Sequence, residues 1–222
     1  KYVWDNSKWG GLHPVDGNRF YIKYRFTPKY DDLDYNFKCL TLDMRTYNKF
    51  EISSIGLRLF AGQYLGESSY KFRLGGSPWI ASSNKRPDYI YSNYDQQYFS
   101  EYAYPIRGVS LGSKEGKNVL LANLEYRLPM LMYYLPTIKW LGQINGVFFT
   151  DVGVTWNENF PNSTNNDYWQ DEINEGWIWT YGFGPRFAFL GMPWQLDYAW
   201  RYYPTTGEKK YSGWYSSIGL DF

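Results

Sequence analysis

The chain has 222 residues, a formal net charge of +1 and a mean hydropathy of -0.56, and 22% of its residues are aromatic. A run of about 18 apolar residues, which a transmembrane helix requires, is absent from the sequence. A near-zero net charge argues against a nucleic-acid partner. A single His and a single Cys argue against a transition-metal site.

Apolar and polar residues alternate with period two in about eight segments of the chain, which predicts β-strands with two chemically different faces. Tyr and Trp are frequent on the apolar faces, as at membrane-water interfaces. In chain order, the apolar faces run Phe20–Phe26, Leu40–Met44, Ile55–Ala61, Leu120–Leu128, Ile144–Trp156, Trp177–Phe189, Trp194–Tyr202 and Trp214–Phe222.

The last predicted strand, Tyr211–Phe222, ends the sequence on an aromatic residue. Trp214, Ile218 and Phe222 share one face of this strand, whereas Ser217 and Gly219 lie on the other. Bacterial outer-membrane barrels commonly end on an amphipathic strand of this kind, which faces lipid and pairs with its neighbours.

The connections between the predicted strands differ in length. Those near 67–116, 157–175 and 203–210 are long or polar, those near 46–50 and 190–192 are tight, and 129–138 is intermediate. Outer-membrane barrels have short periplasmic turns and long extracellular loops. Counting back from a periplasmic C-terminus places every long connection outside the cell.

These patterns predict an all-β fold, an antiparallel transmembrane β-barrel in the bacterial outer membrane. Residues 1–222 are expected to form one barrel domain, with a long extracellular or lumen loop at about 67–116. The alternative is a soluble β-sandwich, whose strands also alternate. A sandwich has a thin core and rarely needs Trp and Tyr on most strands, so the barrel is favoured.

Several motifs resemble, in the same order, the C-terminal half of the BamA/TamA-like outer-membrane assembly superfamily (bacterial surface antigen family). They are Leu74-Gly75-Gly76, Pro105-Ile106-Arg107-Gly108-Val109, Asn123-Leu124-Glu125-Tyr126-Arg127-Leu128-Pro129, Phe149-Thr150-Asp151-Val152-Gly153, Gly182-Phe183-Gly184-Pro185-Arg186 and Leu196-Asp197-Tyr198-Ala199. Val109 stands where the family usually has an aromatic residue. About thirty residues separate the Gly-Gly pair from the Arg-Gly motif, so the resemblance implies an insertion in this loop.

The resemblance extends to the start of the chain, where His13-Pro14-Val15-Asp16-Gly17 is similar to a turn between two middle strands of the family barrel. Residues 1–7 would then end the preceding strand. The family barrel has sixteen strands, and the resemblance implies that this chain supplies about the last eight.

The resemblance also implies a site inside the barrel. Alternation places Glu125 and Asp151 on the lumen face, and in the family the Arg of the motif Arg107-Gly108 reaches the Asp of the strand that ends at Gly153. The planar guanidinium pairs well with a carboxylate. The bond either holds the loop in a conformation needed for assembly or transport, or is an ordinary ion pair that stiffens the loop. An intermediate burial is expected.

A catalytic role is a weaker interpretation of the same residues. Glu125 and Asp151 could form a glycosidase pair, but an Arg partner explains them better. His13, the only His, is most simply a turn residue. We therefore predict no enzyme activity, no catalytic residue, no cofactor and no metal.

Three functions fit the sequence. The first is a BamA-type factor that assists insertion or translocation of proteins at the outer membrane. Its last strand would lie at a weakly paired seam, with Gly213 and Gly219 weakening its packing and Phe222 at its end. The second is a family-like barrel that acts as a membrane anchor, surface antigen or channel subunit. The third is a self-contained eight-stranded barrel. Expected partners are outer-membrane lipid and client or partner outer-membrane proteins, with an upstream segment or another chain completing the barrel.

Overall fold

A computed structural model describes residues 1–28, 37–66, 70–77, 80–82, 100–103, 105–129, 144–170 and 175–219. Fourteen β-strands lie in these ranges, and eight of them have ten residues or more. The strands are β1 (Tyr2–Asp5), β2 (Lys8–Trp9), β3 (Pro14–Thr27), β4 (Phe37–Phe50), β5 (Ser53–Leu65), β6 (Phe72–Leu74), β7 (Ile80–Ser82), β8 (Glu101–Ala103), β9 (Lys114–Gly116), β10 (Asn118–Leu128), β11 (Asn145–Trp156), β12 (Gly176–Phe189), β13 (Met192–Tyr203) and β14 (Glu208–Ile218). One 3-10 turn covers Asn166–Trp169.

The eight long strands form one antiparallel sheet in the order β3-β4-β5-β10-β11-β12-β13-β14, so neighbours in the sheet follow one another along the chain. They coincide with the eight predicted segments, which confirms the all-β antiparallel prediction. The pairs β3–β4, β4–β5, β10–β11 and β11–β12 have continuous register, as in an up-and-down barrel wall.

The two faces of the sheet carry different residues because successive side chains of a strand point to opposite sides. On the outer face, Leu124 and Phe183 remain more than two-fifths exposed. On the inner face, Asn123, Asp151 and Thr180 are completely buried. This alternation agrees with the assigned lipid-facing and lumen-facing sides.

The strands are longer than the alternation alone indicated, so three predicted boundaries are wrong. The tight connection near 46–50 is a turn at 51–52, because β4 continues to Phe50. The connection near 203–210 is a short turn at 204–207, flanked by strand residues. β14 begins at Glu208 rather than Tyr211, since cross-strand pairing with β13 extends over polar residues that carry no apolar signal.

The N-terminal motif also differs from its predicted form. β1 lies in residues 1–7 and pairs with β3, as expected for the end of a preceding strand. The turn itself covers residues 10–13, with the Gly10 N–H bonded to the His13 carbonyl at 3.0 Å. Pro14 to Gly17, predicted as the turn, already belong to β3.

The sheet is open in the part of the chain that the structure describes. β1 lies at one edge, and β14 pairs on its outer side with the three-residue strand β7 from the long connection, at Ser216↔Ser82 and Ser217↔Ile80. β1 and β14 are not paired with each other. The described strands therefore form part of a barrel wall rather than a closed barrel.

Described parts of the connection between β5 and β10 pack against the inner face of the sheet; we call residues 70–77, 100–103 and 105–117 the lumen loop. Its strands β8, β6 and β9 form a second, small sheet. Phe72, Leu74 and Ile106 of this loop are fully buried and pack in one cluster with inner-face residues such as Phe60 and Val119. The interior thus contains an apolar core, which polar-in alternation did not predict.

Candidate functional site

The buried site lies where the lumen loop meets β10 and β11. Arg107 donates to Asp151 through three groups: the backbone N–H to Oδ2 at 3.0 Å, Nε to Oδ2 at 2.8 Å and Nη2 to Oδ1 at 2.6 Å. Both side chains are completely buried. The predicted contact between Arg107 and Asp151 is confirmed, whereas the expected intermediate burial is wrong, because the lumen loop covers the pair.

Glu125 lies beside this pair on the same inner face. It accepts a hydrogen bond from Nη1 of Arg107 and another, at 2.8 Å, from Nε of Arg127. The Arg107 guanidinium also stacks 3.9 Å from the centroid of the Phe149 ring. Each carboxylate therefore has a charged partner and the cation has an aromatic face, which together meet the requirements of buried charge.

The charge of Arg107 is retained in this buried position. Burial alone would lower the pKa of Arg107, but Asp151 and Glu125 outweigh it and hold the pKa well above its ordinary value. Desolvated charges of opposite sign favour each other's ionised form. Arg107 is consequently a fixed cation between the two carboxylates.

Asn123 and Arg127 belong to the site, although the sequence analysis named them only as strand residues. The Asn123 amide donates to Asp151 Oδ1 at 2.8 Å and to the Pro105 carbonyl at 2.7 Å, which joins strand and loop. Arg127 donates to the Pro14 carbonyl at 2.7 Å, at the start of β3. Both lie two residues from Glu125 on one strand, so their shared parity was the signal that could have identified them.

The Gly-Gly pair and the Arg-Gly motif meet in space although the insertion separates them in sequence. The Gly76 N–H bonds to the Ile106 carbonyl at 3.0 Å, and the Ile106 N–H bonds to the Gly76 carbonyl at 2.9 Å. Gly76 and Gly108 have φ values of 81° and 87°, which favour glycine. This two-way bond places Arg107 directly over Asp151.

Gly153, two residues beyond Asp151 on the inner face, is where the loop packs most closely on β11. A Cβ atom there would lie 2.6 Å from Cδ1 of Ile106 and 2.8 Å from Cδ2 of Leu74. The loop can approach this strand only because position 153 carries no side chain. Gly153 therefore shapes the same contact that Arg107 fastens.

The lumen loop also contacts the first strands of the sheet. Glu101 of β8 accepts hydrogen bonds from Arg25 and, at 3.3 Å, from Lys23, both on β3. Arg25 in turn donates to the Tyr64 hydroxyl at 3.2 Å. These side chains are about one-quarter to one-third exposed, so this contact is wetter than the Arg107 cluster.

The predicted seam residues lie apart from the Arg107 cluster, in and after β14. Gly213 has a φ of 134° and lies beside a register shift in the β13–β14 pairing, where Gly213 faces Ala199 and Tyr211 faces Trp200. The Gly219 carbonyl accepts from the Gln195 amide at 2.8 Å. Phe222 lies outside the described residues. The structure thus locates a β-bulge at Gly213.

Within the described ranges, no group of three or more His, Cys, Asp or Glu side chains could hold a metal ion. A search of the same ranges for membrane-crossing helices finds none of sufficient length and apolarity. The Arg107 cluster holds the lumen loop against β10 and β11. Oε1 of Glu125 and Oδ1 of Asp151 each accept hydrogen bonds from guanidinium or amide donors.

Comparison with known proteins agrees with this arrangement of strands and loop. Residues 95–222, more than half of the chain, match the family model of the Omp85 superfamily domain. The chain belongs to the Omp85 superfamily. This superfamily is an outer-membrane protein-insertion and translocation family, and the protein is accordingly a bacterial outer-membrane protein.

A search of solved structures finds similarity to BamA from Haemophilus ducreyi lacking POTRA domains 1-3. The TM-score is 0.62 at 15% sequence identity, and the alignment covers 98% of this chain and 41% of that one. The likeness supports the barrel fold, and the chain spans about two-fifths of the length of its structural relative. No curated protein matches.

Proposed function

We propose that residues 1–222 form one domain, the C-terminal part of an Omp85 barrel that assists insertion or translocation of proteins at the outer membrane. In this proposal, insertion or translocation requires the lumen loop in the position where Arg107 holds it against β10 and β11. Gly108 and Gly153 permit the contact, while Asp151 and Glu125 provide the negative charge. Client or partner outer-membrane proteins and lipid are the expected partners.

The Arg107 cluster is the observation that carries the proposal. A loop that served only to connect β5 to β10 would not need a completely buried Arg with three guanidinium contacts and one backbone contact to two strands. Buried ion pairs are costly relative to apolar packing and are best attested where they specify one arrangement. Here the specified arrangement is the position of the lumen loop on β10 and β11.

The last strand provides the second part of the proposal. The β-bulge at Gly213 interrupts regular pairing in β14, and within the described residues the outer edge of β14 pairs at two positions, Ser216↔Ser82 and Ser217↔Ile80. An edge with so few backbone bonds can accept another strand. We infer that the seam residues Gly213, Gly219 and Phe222 make β14 the place where a client strand pairs.

The test replaces Arg107 by Ala in the full protein. Breaking a buried pair costs roughly 3–5 kcal/mol, so a loss of activity must be separated from a loss of stability. Arg58→Ala is the matched control, because Arg58 and Asp43 form another buried pair, at 2.6 Å, between β5 and β4.

We expect Arg107→Ala to lower the amount of newly inserted outer-membrane proteins far more than Arg58→Ala does, at matched barrel stability measured by urea titration. Arg107→Lys keeps the charge but not the planar fork, and should be impaired as well. Equal effects of Arg107→Ala and Arg58→Ala would reduce the cluster to a stiffening ion pair. Unchanged insertion in both would favour a membrane anchor or channel subunit.

A further inference from the structure

A cavity of about 120 Å³ lies on the inner face, at the end of the sheet that carries the turns at 10–13 and 51–52. One water molecule needs only about 10–15 Å³, so this space can hold a larger polar group. Its described lining residues all lie outside the lumen loop. The polar side chains in the lining are those of His13, Lys49, Ser53, Ser54, Arg127 and Asn145.

Three neighbouring strands place a hydroxyl between two positively charged residues in this cavity. In the β4–β5 pairing Lys49 faces Ser54, and in the β5–β10 pairing Ser54 faces Arg127. Neighbouring strands lie about 4.8 Å apart, so Lys49 and Arg127 flank Ser54 on its two sides. Ser54 and Arg127 are 3% and 2% exposed, whereas Lys49 is exposed at the rim of the cavity.

The hydroxyl of Ser54 points to a ligand. Its Oγ lines the cavity and is buried, yet it has no hydrogen-bond partner among the described residues. Burying a hydroxyl without a partner is unfavourable, and buried polar atoms of folded proteins are nearly always hydrogen-bonded. An oxyanion in the cavity would accept the hydrogen bond that Ser54 can donate.

The charges around the cavity favour an anion. The described lining contains no Asp or Glu. Within the Arg107 cluster, the two cations Arg107 and Arg127 balance the two carboxylates Glu125 and Asp151. Lys49 therefore adds one positive charge that this cluster does not neutralise, which matches a group with a single negative charge.

Backbone contacts fix the position of His13 at the cavity. The Gly10 N–H bonds to the His13 carbonyl at 3.0 Å, which closes the turn at 10–13. The next residue is held from the opposite side, because Nη1 of Arg127 donates to the Pro14 carbonyl at 2.7 Å. This side of the cavity is therefore formed before any ligand binds.

We propose that this cavity binds the phosphate group of an anionic ligand, either free phosphate or the headgroup of a phospholipid. Ser54 donates its hydroxyl to a phosphate oxygen. Lys49 supplies the unbalanced charge, since an ammonium group pairs with phosphate as a point charge. The site shares Arg127 with the Arg107 cluster but involves neither the lumen loop nor the last strand, so it goes beyond the proposed function.

The test is a phosphorus NMR titration of the full protein folded in maltoside micelles, which contain no phosphate of their own. Inorganic phosphate is the first probe and a short-chain phosphatidylglycerol the second. Both are added at constant ionic strength, because salt screens exposed charges such as Lys49. We expect Ser54→Ala and Lys49→Gln each to raise the Kd of the bound probe about tenfold or more, since each loses a hydrogen bond to a charged group. Lys49→Arg keeps the charge and should retain binding.

Lys38→Gln and Ser217→Ala are the matched controls, and both should leave the Kd unchanged. Lys38 lies at the opposite end of β4 from Lys49, and Ser217 on β14 is another buried hydroxyl without a partner among the described residues. Folding of every variant is checked by the heat-dependent shift in gel mobility.

The two probes separate the two sources of phosphate. Binding of inorganic phosphate that weakens in Ser54→Ala and Lys49→Gln would establish a site for a soluble ligand. Binding of phosphatidylglycerol alone, with the same loss in both variants, would establish a site for a lipid headgroup. Binding of neither probe, or a Kd that both variants leave unchanged, would overturn the proposed site.

Discussion

At the scale of single residues, buried ion pairs attach the lumen loop to strands β10 and β11. Arg107 offers its backbone N–H and its planar fork to one carboxylate and a further N–H to a second. A Lys could not reproduce this geometry, since its donors surround a single point charge. The identity of residue 107 therefore fixes the direction of the loop as well as its attachment.

His13 gives a prediction on pH. Burial, and next the charge of Arg127, lower the pKa of His13 to about 4 in the turn before β3. Between pH 6.5, the ordinary value, and about 4, the unfolded chain binds a proton that the folded protein does not. Stability from this group is complete above that window and falls as pH decreases through it.

We therefore expect urea midpoints in lipid vesicles to fall more between pH 7 and about pH 4 for the wild type than for His13→Gln. Carboxylates titrate in the same range, but they do so in both proteins, and His13 is the only His of the chain. The difference between the two curves isolates this side chain. Parallel curves would show that His13 titrates alike in the folded and unfolded states.

Gly153 gives a prediction on packing. A methyl group there would meet Ile106 at 2.6 Å, and overpacking a filled interior costs about 1–3 kcal/mol. Gly153→Ala should lower the free energy of unfolding by that amount, and Ile106→Val should recover part of the loss. A double-mutant cycle by urea titration measures this coupling. Strictly additive effects would mean that the loop does not press on position 153.

At the scale of elements, successive side chains of each wall strand alternate between an outer face and an inner face, and the two faces have different neighbours. The outer faces present Leu, Phe, Tyr and Trp, and rings on neighbouring strands pack together, as in Tyr181–Trp200 at 5.7 Å and Tyr198–Trp214 at 4.7 Å. The inner faces of β3, β5, β10 and β11 contact the lumen loop. A substitution therefore has a cost that depends on the parity of its position and on what covers it.

Leu124 tests the orientation of the wall. Leu124→Arg should cost roughly 2–4 kcal/mol near the bilayer midplane, because a charge there is desolvated. Phe183 and Leu196 are equivalent positions on β12 and β13. Leu190→Arg is the matched control, since Leu190 is 79% exposed in the turn at 190–191. Equal costs at Leu124 and Leu190, measured by folding titration into vesicles, would refute the assignment.

Asn123 and Gln195, on the inner face, are unsuitable as mild controls for this test. Both are buried and hydrogen-bonded. Asn123 lies beneath the lumen loop and binds Asp151, so a charge there would disrupt the ion cluster. Inner position predicts a mild effect only where water, and not the loop, is the neighbour.

At the scale of the whole molecule, the lumen loop explains why the described wall is open. A closed barrel of about eight strands has an interior just wide enough for its side chains. Here the concave side already holds a second sheet with Phe72, Leu74 and Ile106 in its core. We therefore expect additional strands, from the same protein or another chain, to complete the barrel around the loop.

We accordingly expect β1 and β14 to be separated in the assembled protein. Cysteines placed at Val3 and Trp214, in a Cys39→Ser background, should form no intrachain disulfide under oxidation, because bridged Cα atoms lie within about 7 Å. A pair across β13 and β14, at Tyr198 and Trp214, is the positive control, since these residues face each other. Efficient bridging of Val3 to Trp214 would show a closed small barrel.

The sequence by itself determined the eight wall strands and their faces. Period-two alternation is a local pattern of the sequence. It is strong here because the lipid-facing side of each strand requires apolar residues, whereas the lumen-facing side carries mostly polar ones. The contact between Arg107 and Asp151 was expected from two features: the inward parity of Asp151 on its strand, and the order of the motifs that resemble the family. The end of β4 at Phe50 and the start of β14 at Glu208 were not predicted, because backbone pairing continues over residues with no apolar pattern.

Only the tertiary structure decided how deeply the site is buried and what else belongs to it. Arg107 and Asp151 are 44 positions apart, and the loop between β5 and β10 carries an insertion, so no local pattern gives its path. Its apolar side chains pack on the inner face and exclude water from the ion pair between Arg107 and Asp151. The roles of Asn123 and Arg127 follow from the folded structure, because each binds a backbone carbonyl far away along the chain.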